Sequence, residues 1–173
     1  MTRLTFDLPD AGATDELGRA LALAFPGGAA APLVVHLSGE IGAGKTSLIR
    51  AFLRSCGVTG AIRSPTYTLV ETHRAGAAIF VHVDLYRLGG AGRGGGALDD
   101  LALREQLQPG RTILIEWPEH AVGALPPADL AIAIEDHDGG RRALLASRGA
   151  VGDAWLRLLA SNGNIIPYLS NLT

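Results

Sequence analysis

The chain has 173 residues, of which 47% are hydrophobic, and a formal net charge of −2 at pH 7. This size and composition predict one folded domain with a sizeable apolar core. A pI near 6.2 argues against a protein that grips nucleic acid by a large basic face and leaves a local arginine patch open. The single cysteine, Cys56, has no partner for an intramolecular disulfide, and every longer apolar stretch is broken by glycine, proline or charge. We therefore expect a protein of the reducing cytoplasm, with no membrane contact and Cys56 buried in packing.

Strand-like and helix-like segments alternate along the chain. Residues 3–8 alternate between apolar and polar side chains, which predicts an outer strand, and residues 11–25 have the spacing of an amphipathic helix. Later patterns predict core strands at 33–37, 78–84, 112–116 and 130–135, an edge strand at 142–147, and helices at 47–54, 98–107 and 151–160. Interleaved strands and helices predict an α/β three-layer sandwich, with a mixed, mostly parallel central sheet covered on both faces.

The domain is expected to span residues 1–161. All three asparagines of the chain fall in residues 162–173, where the composition drifts. We expect that segment to be a flexible tail or a non-native extension.

Lys45, the sole lysine of the chain, lies in a phosphate-binding pattern. Residues 39–46 read Gly-Glu-Ile-Gly-Ala-Gly-Lys-Thr, which fits G-x-x-x-x-G-K-[ST] at every fixed position. Glycines let the backbone bring N–H groups to phosphate oxygens at the start of a helix, while the lysine reaches the β- and γ-phosphates and Thr46 is placed for Mg²⁺. The flanking strand and helix make the predicted fold P-loop NTPase-like. Predicted nucleotide contacts are Gly39, Glu40, Ile41, Gly42, Ala43, Gly44, Lys45, Thr46 and Ser47.

Two carboxylates end hydrophobic strands and are candidates for the magnesium shell. Asp84 ends residues 79–84 and Glu116 ends residues 113–116, the positions at which P-loop enzymes hold or orient the metal. Glu116 is the first choice for the metal and Asp84 the second. The loop Ser64-Pro-Thr-Tyr-Thr68 offers hydroxyl groups for a switch that responds to the γ-phosphate, with an ordinary turn into a strand as the less favoured alternative.

The remaining sequence patterns give weaker evidence about function. Residues 90–95 match G-x-G-x-x-G, but no strand runs directly into them, so a glycine linker explains them better than a dinucleotide site. His36 and His82 lie within apolar strands, where satisfied core residues are expected, and no histidine spacing indicates a metal site. The chain has no N-K-x-D pattern, so ATP is expected rather than GTP. Trp117 is a candidate for stacking on a base or a partner, with core packing as the alternative.

With these residues in view, the chain resembles the TsaE family, the ATPase component of bacterial tRNA threonylcarbamoyladenosine synthesis. The segments that carry the resemblance are residues 39–46, Ser-Pro-Thr-Tyr-Thr-Leu-Val-Glu at 64–71, Asp-Leu-Tyr-Arg-Leu at 84–88 and Ile-Glu-Trp-Pro-Glu at 115–119. They occur in the family's order and cover roughly residues 5–145. The resemblance implies binding of ATP and Mg²⁺ and weak hydrolysis that becomes useful on the TsaB–TsaD complex. That complex modifies adenosine 37 of tRNAs reading codons that begin with adenine, so this chain would meet tRNA only indirectly.

The resemblance also implies roles for single residues. Lys45 and Thr46 take the phosphate and magnesium roles, Glu116 the second magnesium role, and Asp84 a role on metal or water. Thr66 and Thr68 would form the switch. Further nucleotide contacts are implied at Ala11, Glu119, Gly140 and Arg141.

The chain departs from the family pattern at two places. Arg63 stands where the family carries a lysine before Ser-Pro-Thr, and a glycine-rich stretch at 89–96 intervenes before the helix that follows Leu88. A small-molecule kinase of the P-loop class remains an alternative, with Arg87, Arg93 and Arg104 as candidates for its lid. A nucleotide-binding adaptor with negligible hydrolysis is a third reading.

Overall fold

The computed structural model describes residues 1–27, 31–89 and 103–172. Within these ranges the chain forms one eight-stranded sheet and four α-helices. The strands are β1 (Arg3–Leu8), β2 (Leu33–Ser38), β3 (Val70–Ala75), β4 (Ala78–Asp84), β5 (Arg111–Glu116), β6 (Leu130–His137), β7 (Gly140–Ser147) and β8 (Leu169–Leu172). The helices are α1 (Ala11–Leu23), α2 (Lys45–Ser55), the short α3 (Leu103–Gln106) and α4 (Gly149–Ala160).

The sheet is mixed, with a parallel centre. Its strand order is β3-β4-β5-β2-β6-β7-β1-β8. The joins β4–β5, β5–β2 and β2–β6 are parallel, whereas β3–β4, β6–β7, β7–β1 and β1–β8 are antiparallel. The prediction of a mostly parallel sheet is therefore wrong for the described strands.

Short turns account for two of the antiparallel joins. Asp138 and Gly139 connect β6 to β7 with φ values of 45° and 81°, the positive φ at both central residues that a tight hairpin turn requires. Gly76 begins the equally short turn between β3 and β4, with φ of 58°. A two-residue connection cannot carry the crossover that a parallel pair needs, so both pairs are antiparallel.

The three longer helices pack on one face of the sheet. Their core contains Leu17 of α1, Phe52 of α2 and Trp155 of α4, and the Trp155 indole N–H donates to the Leu21 carbonyl at 2.9 Å. On the opposite face, the side chains of β4 and β5 pack against Leu103 of α3 and Ala121. The expected helical cover on that face is thus limited, among the described residues, to α3 and short turns.

Several predicted elements are confirmed and others need correction. β4 matches its predicted bounds, and α1 begins at the predicted residue. The predicted outer strand β1 lies between β7 and β8, and the predicted edge strand β7 lies between β6 and β1. β7 is internal because β1 pairs with its outer side, and β1 is internal because residues Leu169–Leu172, expected to be a flexible tail, pair with it as the edge strand. Sequence patterns also missed β3, the opposite edge.

Two predictions concern residues without a described structure. The glycine-rich stretch at 90–95 lies outside the described residues, as does the first part of the helix predicted at 98–107, of which 103–106 are helical. No helix in the described ranges is long and apolar enough to cross a bilayer.

The strand order brings three carboxyl ends together. β4, β5 and β2 are neighbours and parallel, with Asp84 opposite Glu116 and Glu116 opposite Leu37 in the register. We call this margin, where β2, β4 and β5 end, the carboxyl edge. Ligands of parallel α/β sheets bind beyond such an edge.

Candidate nucleotide-binding site

The segment of residues 39–46, from the end of β2 to the first turn of α2, which we call the P-loop after its sequence pattern, has the conformation that its glycines predict. Gly39, Gly42 and Gly44 adopt φ values of 133°, 78° and 107°, which side chains rarely tolerate. A Cβ on Gly39 would lie 2.2 Å from the Ile134 carbonyl oxygen. Gly44 caps α2 without a side-chain hydrogen bond, so the first N–H groups of the helix stay open to an anion.

Lys45 is held inside this loop. Its side chain is buried, and Nζ donates to the carbonyl oxygens of Gly39 and Glu40 at 2.6 and 2.9 Å. The Trp117 ring lies under the ammonium, with 3.7 Å between Nζ and the ring centroid. Burial lowers the pKa of Lys45, while nearby carboxylates, Glu116 foremost, oppose that shift. The ammonium is therefore bonded to neutral acceptors, which phosphate oxygens are able to replace.

Glu116 joins the P-loop to the sheet. Its side chain is 2% exposed, and the Thr46 hydroxyl lies 2.9 and 3.0 Å from its Oε1 and Oε2. His82 Nε2 lies 2.8 Å from Oε1. The structure thus brings together Thr46 and Glu116, the two residues predicted first for magnesium.

Asp84 organises the loop that follows α2. Its Oδ2 accepts from the hydroxyls of Ser64 and Thr66 at 2.6 and 2.8 Å, and its Oδ1 accepts from the Tyr86 N–H at 3.0 Å. Thr68, the other predicted switch residue, is exposed, and no side-chain hydrogen bond joins it to a described residue. The structure therefore brings Thr66 to the site with Ser64, which the predicted set left out although it lies in the same polar loop.

Two cavities flank the P-loop. One, of about 360 Å³, is lined by P-loop residues together with Ser64, Thr66, Asp84, Tyr86, Glu116 and Trp117. The other, of about 260 Å³, contains Ala11, Gly140 and Arg141. Gly42, Gly44 and Ser47 line both cavities, so the P-loop forms a shared wall between them.

Glu119 does not join either cavity. Its side chain is exposed, and it lines a third cavity of about 420 Å³ together with His36 and Leu125. Of the four further contacts predicted outside the P-loop, Ala11, Gly140 and Arg141 share one cavity and Glu119 lies apart from them.

His82 was expected to be a satisfied core residue, and only one of its nitrogens fits that description. The ring is fully buried, and Nδ1 has no hydrogen-bond partner among the described residues. His82 and Asp84 are two apart on β4 and therefore point to the same face of the sheet. That i, i+2 spacing was the available signal that His82 belongs to the site.

The geometry can be compared with known proteins. A family model described as "Threonylcarbamoyl adenosine biosynthesis protein TsaE" matches residues 8–144. The chain belongs to the TsaE family. A protein named tRNA threonylcarbamoyladenosine biosynthesis protein TsaE from Haemophilus influenzae is 37% identical over 120 residues, 69% of this chain and 73% of that protein. The protein of the same name from Streptomyces coelicolor is 39% identical over 122 residues, 69% of this chain and 77% of its own length.

A solved structure extends the likeness to the whole fold. The crystal structure of YdiB from Bacillus subtilis superposes with a TM-score of 0.71 and 24% sequence identity, covering 92% of this chain and 96% of that one. The family match confirms the resemblance inferred from four sequence segments. The matched range contains the P-loop, Asp84, Glu116 and the predicted residues that line the two flanking cavities. Helix α4 and strand β8 of this TsaE-family chain lie outside the matched range.

Proposed function

We propose that this chain is a magnesium-dependent ATPase that serves formation of threonylcarbamoyladenosine 37 in tRNA, by acting in the cytoplasm on the TsaB–TsaD complex. The observation that carries the proposal is the convergence of Lys45, Thr46, Asp84 and Glu116 on one cavity, at the open N-terminus of α2. The names of its relatives support the tRNA-modifying role. The complex, and not this chain, carries out the transfer to adenosine.

Phosphate binding uses groups that are already in position. The open N–H groups of α2 favour negative charge, and Lys45 exchanges its carbonyl acceptors for β- and γ-phosphate oxygens. Trp117 covers the ammonium from below. ATP binding by this loop needs no rearrangement of the sheet.

The oxygen donors at the carboxyl edge fit Mg²⁺. Thr46 supplies a hydroxyl and Glu116 and Asp84 supply carboxylates, all lining the same cavity, and Mg²⁺ prefers a few such oxygens together with phosphates and water. Thr46 would hold the metal, with Glu116 and Asp84 around it. The ion supplies neutralisation of the charge that builds on the phosphates.

The Ser64–Thr66 loop serves as the sensor of the γ-phosphate. Both hydroxyls are tied to Asp84 Oδ2 and lie 2.7 Å from each other. A carboxylate that turns toward metal or water loosens these two bonds, so the state of the nucleotide reaches a surface loop that carries the exposed Tyr67. This loop is our candidate for the signal to the partner.

The second cavity accommodates the nucleoside. Because Gly42, Gly44 and Ser47 separate it from the phosphate side, a nucleotide that wraps over the P-loop places its base near Ala11, Gly140 and Arg141. Arg141 Nη1 is held by Asp136 at 2.9 Å. Nothing among the described residues favours the kinase alternative, since Arg87 stacks on Tyr67 at 4.0 Å and does not line the phosphate cavity.

Multiple-turnover tRNA modification with purified TsaB–TsaD tests the proposal. We expect wild-type protein to hydrolyse ATP slowly alone and faster with the complex, and Lys45→Ala and Glu116→Gln to lose about 100-fold or more of that rate. The matched control is Glu105→Gln, since Glu105 is exposed on α3. Multiple turnovers without this chain, or normal support by Lys45→Ala, would contradict the proposal. Nucleotide binding without hydrolysis would support the alternative of a nucleotide-binding adaptor. Phosphorylation of a metabolite in the absence of TsaB–TsaD would support the alternative of a small-molecule kinase.

A further inference from the structure

His82 carries a combination of features that packing does not explain. The ring, on the internal strand β4, is 0% exposed. It contacts the Glu116 carboxylate through Nε2, and Nδ1 has no partner in the part of the chain that the structure describes. A buried nitrogen without a hydrogen bond reduces stability. An apolar side chain of similar volume would fill the same space without that loss.

We infer that His82 is a positioning residue, which fixes the Glu116 carboxylate for its role beside the magnesium ion. The inference rests on the proposed function, because it assigns a support to the same site. His82 touches neither cavity, so it acts through Glu116 and not on nucleotide.

The contacts of Glu116 show what His82 contributes. The Thr46 hydroxyl has one hydrogen, which it can give to only one of the two carboxylate oxygens at a time. That bond alone leaves the carboxylate free to rock between two arrangements at 2.9 and 3.0 Å. His82 Nε2, 2.8 Å from Oε1, is a second hydrogen-bond donor to the carboxylate and removes this freedom. Oε2 is then the carboxylate oxygen that has no contact from the sheet.

The partners of the ring determine its tautomer. A carboxylate accepts hydrogen bonds and cannot donate them, so the proton lies on Nε2 and points at Glu116. Nδ1 then carries only a lone pair, which needs no acceptor and is less costly to bury than an unpaired N–H. This tautomer therefore accounts both for the short contact between Nε2 and Glu116 and for the absence of a partner at Nδ1.

The strand register keeps the donor in place. His82 lies opposite Leu114, and Asp84 opposite Glu116, on the parallel strands β4 and β5. His82 is therefore the diagonal neighbour of Glu116 on the same face, and its rotation is limited by the packed sheet. Outer partners of this kind orient ligating side chains, and their loss commonly reduces metal affinity or activity by 10- to 100-fold.

Two substitutions of similar size separate positioning from packing. The amide nitrogen of glutamine occupies the place of Nε2, whereas that of asparagine occupies the place of Nδ1, away from Glu116. We therefore compare His82→Gln with His82→Asn and His82→Leu. The matched control is His73, a second buried histidine whose ring centroid lies 6.5 Å from that of His82 and which has no contact with Glu116; His73→Leu and His73→Gln should leave the rate unchanged.

The measurements are the rate of ATP hydrolysis with TsaB–TsaD, the Mg²⁺ concentration for half-maximal rate, and ADP affinity in EDTA. We expect His82→Asn and His82→Leu to lower kcat about 10- to 100-fold and to require more Mg²⁺, with ADP affinity in EDTA within about 2-fold of wild type because the P-loop is untouched. His82→Gln should keep kcat within about 3-fold. Equal loss in the glutamine and leucine variants, or a wild-type kcat in the leucine variant, would overturn the inference.

A second readout keeps the inference testable if the proposed function fails. Absence of hydrolysis in the wild-type protein, with or without TsaB–TsaD, would count against the proposed function alone. Nucleotide affinity measured with and without Mg²⁺ then decides the role of His82: the gain in affinity that Mg²⁺ gives should survive in His82→Gln and shrink in His82→Leu. An unchanged gain in both variants contradicts the inference.

Discussion

The parallel centre and the antiparallel end of the sheet use buried positions differently. In the parallel centre, β4 and β5 place His82, Asp84 and Glu116 at positions no more than 3% exposed. In the antiparallel end, the inward residues of β1 are Leu4 and Phe6, at 1% and 0% exposed, followed by Leu8. Polar groups buried together are tolerated only when they hold one another in place. The parallel centre therefore holds the candidate site, whereas the antiparallel end contributes chiefly to stability.

Truncation of the antiparallel core should have the largest effect on stability. Phe6→Ala removes a fully buried ring of β1 from the main apolar core, and we expect a loss of about 3–5 kcal/mol in the free energy of unfolding. Urea unfolding measures it, with Phe6→Leu as the milder control at about 1 kcal/mol. ADP affinity, measured where the variant is still folded, should stay within about 2-fold. A large change in the ADP affinity of Phe6→Ala, measured under conditions where all of the protein is folded, would mean that the antiparallel core and the parallel centre do not act independently.

A change in the Ser64–Thr66 loop at the carboxyl edge should have the next largest effect. That effect is on the rate of ATP hydrolysis and not on stability. Thr66→Ala removes one of the two hydroxyls on Asp84 Oδ2, so we expect about a 10-fold lower rate of partner-stimulated ATP hydrolysis, equivalent to one charged hydrogen bond. Thr68→Ala is the matched control, with less than a 2-fold effect expected because that side chain is exposed. Steady-state phosphate release measures both. An equal loss of rate in Thr66→Ala and Thr68→Ala would show that Thr68 acts in the switch together with Thr66.

A pH-dependent contact should distinguish the antiparallel end. Asp153 accepts hydrogen bonds from the Ser147 hydroxyl and from the Thr2 N–H, and the first of these is the main reason that its pKa falls to about 2. A folded pKa below the unfolded value of 3.8 stabilises the fold above pH 4, and this stabilisation is lost as pH falls toward 2. We expect Asp153→Asn to lower Tm by a few degrees at pH 7.

The difference between wild type and Asp153→Asn should shrink as pH is lowered from 4 to 2. Thermal unfolding followed by circular dichroism across this range checks the trend. Asp138→Asn serves as the control, because its side chain is 90% exposed in a turn that tolerates asparagine. A constant difference at every pH would show that Asp153 acts by shape and not by charge.

Sequence patterns predicted the buried strands better than the edges. β4 is nearly all apolar and was placed at its observed bounds, because a strand buried on both faces leaves a continuous hydrophobic signal. β3 contains the polar residues Glu71, His73 and Arg74, and β8 contains Ser170 and Asn171. An edge strand is specified by its neighbour's hydrogen bonds, so its own residues carry little signal.

The site was predicted to the extent that its residues lie at strand ends or in the P-loop. Motif spacing alone placed Lys45 and Thr46, and strand ends supplied Asp84 and Glu116. The links made by Ser64 and His82 depend on which strands are neighbours and on their register. No local pattern encodes that register, so the partners of those two residues emerge only from the fold, although the polar loop and the i, i+2 spacing from Asp84 point to the residues themselves.

The smallest effect is expected at Cys56, an ionisable group that is only half-buried and lies away from the carboxyl edge. Cys56 follows α2 at the end opposite the P-loop and packs against the apolar core, and burial raises the pKa of its thiol to about 12. At pH 8 the thiolate fraction is then on the order of 10⁻⁴, against about a quarter for a free cysteine. We expect labelling by an aromatic disulfide reagent to be at least about 100-fold slower in the folded protein than in urea, and Cys56→Ala to leave ATP hydrolysis unchanged. Rapid labelling of the folded state would show that this end of α2 opens to solvent. Under the proposed function the same helix binds phosphate at its other end. If the folded protein labels quickly, slower labelling of Cys56 in the presence of ADP would therefore show that the two ends are coupled.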